Sequence, residues 1–303
     1  MTDRRKDGGR IRIAVAGATG RVGSALVARL ANDPVDVAAL TRNAGGHVTQ
    51  AGVQPAEIDF DRPETLVEAM RGADRLFLAH GTSDRQVVNE IALIDAAIAA
   101  GVDHIVKLSA MGPPTRLHPF DWHMEIEAYL ATKDIGYTML RPSSFIDVLA
   151  RAKGPVAAGD WGGSAGDGLV NLIDTRDVAD VARIALLDDR FPSSQRAYHL
   201  TGPAGVSMPQ VAEELSHLLD RAVTYQHRSV ADHRRLLVDT GASEMVADLL
   251  LGLDRIFREG ILAETTTTVD DLLGRPARSA SDWLEEHRDG FRIDPEIKTL
   301  QPS

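Results

Sequence analysis

The chain contains no cysteine. Disulfides, thiolate nucleophiles and cysteine-ligated zinc are therefore excluded from its chemistry. It is also short of positive charge: 33 lysines and arginines stand against 44 aspartates and glutamates, a formal net charge of −11 at pH 7. A nucleic-acid partner needs a concentrated basic surface, so that class of function is set aside. No apolar run reaches the length a bilayer-spanning helix requires. The opening MTDRRKDGGR passes directly into the strand-like IRIAVAG, with no apolar stretch of the kind a secretory signal carries. The expectation is a cytoplasmic protein with neither a nucleic-acid nor a membrane partner, and a frayed tail over residues 1–10. No metal site is read.

What remains is the composition of a soluble globular enzyme, 303 residues with 44% hydrophobic and 25% charged side chains. Short Val/Ile/Leu-rich runs alternate with helical patterns, the signature of βαβ units and a parallel sheet. Strands are predicted at Ile11–Ala16, Val35–Leu40, Glu57–Phe60, Arg75–His80, His104–Ala110, Tyr137–Arg141 and Ala197–Pro203. Helices between them begin near Gly20, Pro63, Val87, Phe120 and Thr175. The fold class expected is α/β: a doubly wound parallel Rossmann sheet with a smaller, mainly helical C-terminal substrate lobe. Residues 11–150 form the core, 170–203 complete its sheet, and 151–169 with 204–303 form the lobe. The Gly-rich stretch 159–168 reads either as a mobile connector or as a lid over a substrate.

Gly17-Ala18-Thr19-Gly20-Arg21-Val22-Gly23 joins the first strand to the first helix. Gly17 suits the tight turn, Gly20 a close backbone approach to a pyrophosphate, and Gly23 close packing of helix on sheet. The helix N-terminus offers unpaired N–H groups to the phosphates. The second strand ends in Ala39-Leu40-Thr41-Arg42-Asn43, without the acid that would hold a ribose 2′-hydroxyl. A guanidinium suits a 2′-phosphate, so NADP(H) is the cofactor expected, with Arg42 and Asn43 near that phosphate and Arg21 facing them. The alternative for Arg42 is a solvent-facing side chain. Asp59 and Phe60 are placed at the adenine, with Asp61 as a helix cap. Ala79, His80 and Gly81 end the fourth strand beneath the ribose. Pro142, Ser143, Ser144 and Phe145 follow the sixth strand and wall the nicotinamide. Ser109, at the carboxyl end of the fifth strand, contacts nicotinamide or substrate, or else simply forms a turn.

GATGRVG, LTRN, VKLSA, the pattern W-H-x-x-x-E-x-x-L, TMLRPSSF, DTRDVA, YHLTGP and LLGRPARSASDWLEEH together resemble the NmrA-like, atypical branch of the short-chain dehydrogenase/reductases. The resemblance covers nearly the whole chain and implies an NADP-binding Rossmann fold. Its members include NADPH-dependent quinone and isoflavone-type reductases and NADP-binding regulators without turnover. Conventional members of the superfamily use a Tyr-x-x-x-Lys pair. Tyr129 and Lys133 have that spacing here, but Asp134-Ile135-Gly136 ends the helix at once. Registering on Glu127-x-x-Leu130 instead puts His123 at the lysine position and Pro119 at the tyrosine position. His123 is then expected at the nicotinamide ribose, with Glu127 either orienting its imidazole or making a local helix pair.

Without a tyrosine donor, hydride delivery to a simple ketone would leave a basic alkoxide unassisted, and general-acid help there is worth roughly 10²–10⁴ in rate. A quinone yields a delocalised, weakly basic anion. The expected function is reduction of an aromatic, quinone-like or conjugated carbonyl substrate by NADPH. Two alternatives stand beside it: a non-catalytic NADP(H) sensor with a protein partner, and a carbonyl reductase or epimerase-like enzyme using His123 or Ser109.

Overall fold

The structure is a computed structural model and describes residues 10–43, 51–112, 120–192 and 194–292. Residues 1–9 of the expected tail, and Pro119, lie outside them. The chain divides into two compact units, Met1–Pro142 with Thr175–Leu200, and Ser143–Asp174 with Thr201–Ser303.

In chain order the first unit holds β1 (Arg12–Val15), α1 (Arg21–Leu30), β2 (Asp36–Thr41), β3 (Val53–Glu57), α2 (Pro63–Ala69), β4 (Arg75–Leu78) and α3 (Gln86–Ala100). β5 (His104–Leu108), α4 (Phe120–Ala131) and β6 (Gly136–Pro142) follow. The second unit opens with β7 (Ser144–Phe145), α5 (Lys153–Ala158), β8 (Gly162–Gly163) and β9 (Val170–Ile173). The chain returns to the first unit for α6 (Thr175–Leu187) and β10 (Gln195–Leu200). It then supplies the second unit with β11 (Gly205–Val206), α7 (Met208–Leu219), β12 (Gln226–His227), α8 (Val230–Asp239) and α9 (Glu244–Arg258). Last come α10 (Thr268–Leu273) and α11 (Ala280–His287).

The first unit is a seven-stranded sheet in the order β10-β6-β5-β4-β1-β2-β3, with parallel pairing throughout. Its central strands are buried at every position of β4 and at nearly every one of β1 and β5. That is why they read as largely apolar runs rather than alternating ones. α1 buries Val22, Leu26, Val27 and Leu30, an i, i+4, i+5, i+8 stripe. It lies beside α6, tied by Arg29 to Asp180 and by Arg183 Nε to Asp33 Oδ2 at 2.7 Å. α2, α3 and α4 pack in sequence with one another. Strand order reverses between β1 and β4, and the crevice outside the carboxyl ends of strands at such a switch point is where ligands bind in doubly wound sheets.

Two expectations about this sheet need correction. The third strand is Val53–Glu57, not Glu57–Phe60. It is an edge strand paired only with β2, mostly exposed, so it needs no apolar run and tolerates Pro55. Asp59 and Phe60 fall in the turn before α2. Nor do residues 170–173 complete the large sheet. β9 is the middle strand of a separate small sheet, β11-β9-β7, in the second unit, and only residues 175–200 return to the first.

The second unit is mainly helical, with α7 opened by a capping box between Ser207 and Gln210 and α11 by one between Ser279 and Asp282. Residues 159–168 are not a loose loop within it. β8 pairs with β12, Trp161 and Ala165 are buried, and Asp254 accepts from the Ser164 amide at 2.6 Å and hydroxyl at 2.9 Å. Among the described residues no helix is long and apolar enough to cross a membrane, and no cluster of three metal-ligating side chains occurs.

Candidate active site

The turn after β1 is shaped by contacts that only glycine permits. Gly17 has φ +73°, and a Cβ there would lie 2.8 Å from the Ala79 carbonyl oxygen. A Cβ on Gly23 would lie 2.1 Å from the Gly17 carbonyl oxygen, which brings the first turn of α1 down onto the loop. The Gly20 amide donates to Gly17 O at 2.9 Å, and Gly20 is the N-cap of α1 with no side-chain cap. Nor is there an acid in the first turn. The leading amides of α1 are thus left for an external acceptor, in the place and orientation a diphosphate takes. Ala18 and Val22 are buried beneath this surface, whereas Thr19 and Arg21 are exposed on it. The residues present fit a dinucleotide.

Arg42 stands immediately after β2, exposed and, like Arg21, without an ion-pair partner among the described residues. Asn43 closes a turn with Thr41, its amide 3.2 Å from Thr41 Oγ1. Asp59 uses its carboxylate locally, accepting the Asp61 amide at 2.9 Å. Here the capping expectation is corrected: α2 begins after Arg62 with no side-chain cap, and Asp61 instead lies 3.6 Å from Arg85. Phe60 meets His80 edge-on, ring centroids 5.9 Å apart. The His80 ring is held at both nitrogens, Nδ1 donating to Gly81 O at 2.6 Å and Nε2 accepting from Asn89 at 2.9 Å.

At the carboxyl end of β5 the Ser109 amide donates to Leu140 O at 2.7 Å, which fixes the backbone. Its side chain is buried, with the hydroxyl oxygen unpartnered, and it opens on a groove of about 540 Å³. His123, from the first turn of α4, lines the same groove with Glu127, Arg141, Arg196 and His199. Thus Ser109 and His123, distant in sequence, share one cavity. Glu127 does not orient the imidazole. It grips Arg141, Nε to Oε1 at 3.0 Å and Nη2 to Oε2 at 2.5 Å. Of the predicted nicotinamide wall, Pro142 ends β6 and accepts the Met111 amide at 2.8 Å. Ser143, Ser144 and Phe145 belong to the second unit, where Ser143 Oγ lies 3.4 Å from Asn171 Oδ1.

Tyr129 and Lys133 point elsewhere. The Tyr129 hydroxyl is 2.8 Å from both Asp95 carboxylate oxygens on α3, and Lys133 Nζ donates to it at 2.7 Å. Neither side chain lines the groove.

Sequence reasoning missed the group beneath His123. Lys107, in the middle of β5, is wholly buried and pairs with the equally buried Glu90 of α3 at 2.8 Å. Its Nζ also lies 3.2 Å from His123 Nδ1. Burial first, and the Lys107 charge second, push the His123 imidazole down to about 2. The signal was there: a lysine inside a buried parallel strand, and a glutamate inside the apolar face of α3, are each anomalies that call for a partner.

Residues 17–189 match the family model described as NAD(P)H-binding. The chain belongs to the NAD(P)H-binding family. Among curated relatives it is 31% identical over 284 residues to an NAD(P)H azoreductase of Xenophilus azovorans, covering 92% of this chain and 99% of that one. It is 34% identical over 284 residues, with the same coverage, to a (4-alkanoyl-5-oxo-2,5-dihydrofuran-3-yl)methyl phosphate reductase of Streptomyces griseus. Of solved structures, an NADPH-dependent quinone oxidoreductase of Escherichia coli complexed with NADPH superposes with a TM-score of 0.84 at 26% identity. That match covers 90% of this chain and 99% of the other. The fold and the family are those that the resemblance to the NmrA-like branch implied.

Proposed function

We propose that this member of the family is an NADPH-dependent reductase of quinone-like or otherwise conjugated acceptors, acting on a small aromatic substrate. The observation that carries the reading is the groove in which the unpartnered Ser109 hydroxyl and the His123 imidazole meet at the carboxyl end of β5. The amides of the Gly17–Gly23 turn hold the diphosphate, and Arg42 with Arg21 neutralises the 2′-phosphate. NADPH, when bound, supplies the hydride.

The chain's own residues bind and orient. Ser109 donates its hydroxyl proton to an oxygen of nicotinamide or substrate, and His123 contacts the nicotinamide ribose and the acceptor beside it. Tyr129, the tyrosine of the Tyr-x-x-x-Lys spacing, does not line the groove, being held by Asp95 and Lys133. Tyr137, which does line it, stands at the amino end of β6, opposite Ile105 rather than Ser109. Acceptors whose reduced anion is delocalised and weakly basic therefore suit the site better than simple ketones. The activities named for the relatives, on azo, quinone and conjugated lactone compounds, are of that kind.

The test is a stopped-flow record of NADPH absorbance against a panel of quinones, azo dyes and saturated ketones. Rapid oxidation by conjugated acceptors, with saturated ketones inert, is expected. Tight binding of NADPH and NADP⁺ with no acceptor turned over would establish a sensor instead. A chiral alcohol or an epimer as product would replace the quinone reading with a carbonyl reductase or epimerase.

A further inference from the structure

We propose that Lys107 is a positioning residue that locks His123 as the neutral tautomer with its proton on Nε2, so that this ring works in the groove only as a hydrogen-bond donor. The inference rests on the reductase reading for its role in turnover, but not for its chemistry.

An ammonium group has three N–H donors and no lone pair. Lys107 Nζ has the Leu108 carbonyl oxygen and His123 Nδ1, at 3.2 Å, as hydrogen-bond partners, and forms an ion pair with Glu90 Oε2 at 2.8 Å. Glu90 is itself held by Gln86, whose Nε2 donates to Glu90 Oε1 at 3.0 Å. Lysine and glutamate are both fully buried, and each is the other's ion-pair partner. The ammonium can only donate, so Nδ1 must accept, and a neutral imidazole then carries its hydrogen on Nε2. That nitrogen has no partner among the described residues and is left for whatever occupies the groove.

Charge reinforces the geometry. A second proton would place an imidazolium 3.2 Å from an ammonium, in a site taken out of water. The other charged or titratable groups lining the groove are Glu127, already paired with Arg141 of β6, Tyr137 of β6, and Arg196 and His199 of β10. None of these sets an unpaired anion beside the ring. His123 therefore offers Nε2–H without ever becoming a general acid in its own right. A donor of this kind stabilises a delocalised anion and cannot neutralise a basic alkoxide, which explains in one contact the preference for conjugated acceptors.

The test is ¹⁵N NMR of the full chain labelled at histidine, with the His123 signals assigned by their loss in His123→Gln. From pH 8 to pH 5 the wild-type ring should stay neutral, with Nδ1 unprotonated and Nε2 protonated. A wild-type signal with Nδ1 protonated, or a midpoint between pH 6 and 7, would overturn the proposal without any variant. Lys107→Met with Glu90→Leu removes both buried charges together, so neither is stranded. In it the two tautomers should mix, the ring should titrate near its ordinary value, and kcat should fall about tenfold with little change in the KM for NADPH. A pH profile of kcat unchanged from wild type would also count against the role. Failure of every acceptor to oxidise NADPH would remove the reductase reading while leaving the tautomer measurement standing.

Discussion

Arg42 presents an exposed guanidinium at the end of β2, where a 2′-phosphate would give it charge-assisted hydrogen bonds and a bare hydroxyl would give it little. Arg42→Ala should therefore weaken NADPH binding by about tenfold to a hundredfold, the worth of one or two such bonds. NADH binding should change by no more than about twofold, because the lost contact is one that nucleotide never makes. Calorimetric titration of both nucleotides reads this directly, and equal losses would refute the assignment. Tyr129→Phe is the complementary case. Its hydroxyl serves Asp95 and Lys133 on the flank of α4, so kcat should be unaltered and stability should change by about 1 kcal/mol or less. A collapse in turnover would restore the Tyr-x-x-x-Lys reading. At this scale the glycine spacing was legible because that residue type carries its own geometric meaning. Lys107 was not, since its partners Glu90 and His123 lie 17 and 16 positions away and only the packing of α3 and α4 on β5 brings them together.

Elements became legible where burial imposes a period and were misread where it does not. β1, β4 and β5 are flanked on both edges by other strands and announce themselves as apolar runs. β3, exposed on the sheet's edge, carries no such run, and the reading slid forward to the apolar residues that close the following turn. β9 lies in the stretch read as completing the large sheet, but which sheet takes it depends on pairing with β7 and β11, a non-local choice. Two glycines inside helices show how the same residue differs by element. Gly23→Ala would place its Cβ 2.1 Å from the Gly17 carbonyl oxygen, forcing α1 off the loop. A loss of about 1–3 kcal/mol is expected, together with loss of nucleotide binding, since the amide cradle moves with the helix. Gly252, within α9, has nothing near a Cβ, so Gly252→Ala should stabilise the protein by about 0.5–1 kcal/mol through helix propensity alone. Urea unfolding of the two variants measures both, and destabilisation by Gly252→Ala would show that α9 is packed differently.

For the whole molecule the buried histidines set the response to acid. His104 is fully buried, its Nε2 hydrogen-bonded to Thr138 Oγ1 at 2.9 Å and its Nδ1 without a partner. Burial, with the nearby Arg75 guanidinium adding to it, lowers its pKa to about 4. The unfolded chain then binds a proton more readily than the native one. Stability is complete above the ordinary histidine value near 6.5 and is lost as pH falls toward 4, at about 1.4 kcal/mol per unit for this group. His123 is depressed further and contributes in the same direction across the same window. The net charge of −11 works the other way, because protonating histidines elsewhere relieves self-repulsion as the solution acidifies. Desolvation acts at a single buried ring and is unscreened, whereas the repulsion is spread over an exposed surface and screened within about 8 Å at physiological salt, so the histidines should win. Stability in urea should fall between pH 7.5 and pH 5 in the wild type. In His104→Asn that fall should shrink by about 2 kcal/mol, the share of 1.5 units of histidine linkage. Equal stability of the wild type at the two pH values would mean that neither ring is held neutral against the solvent.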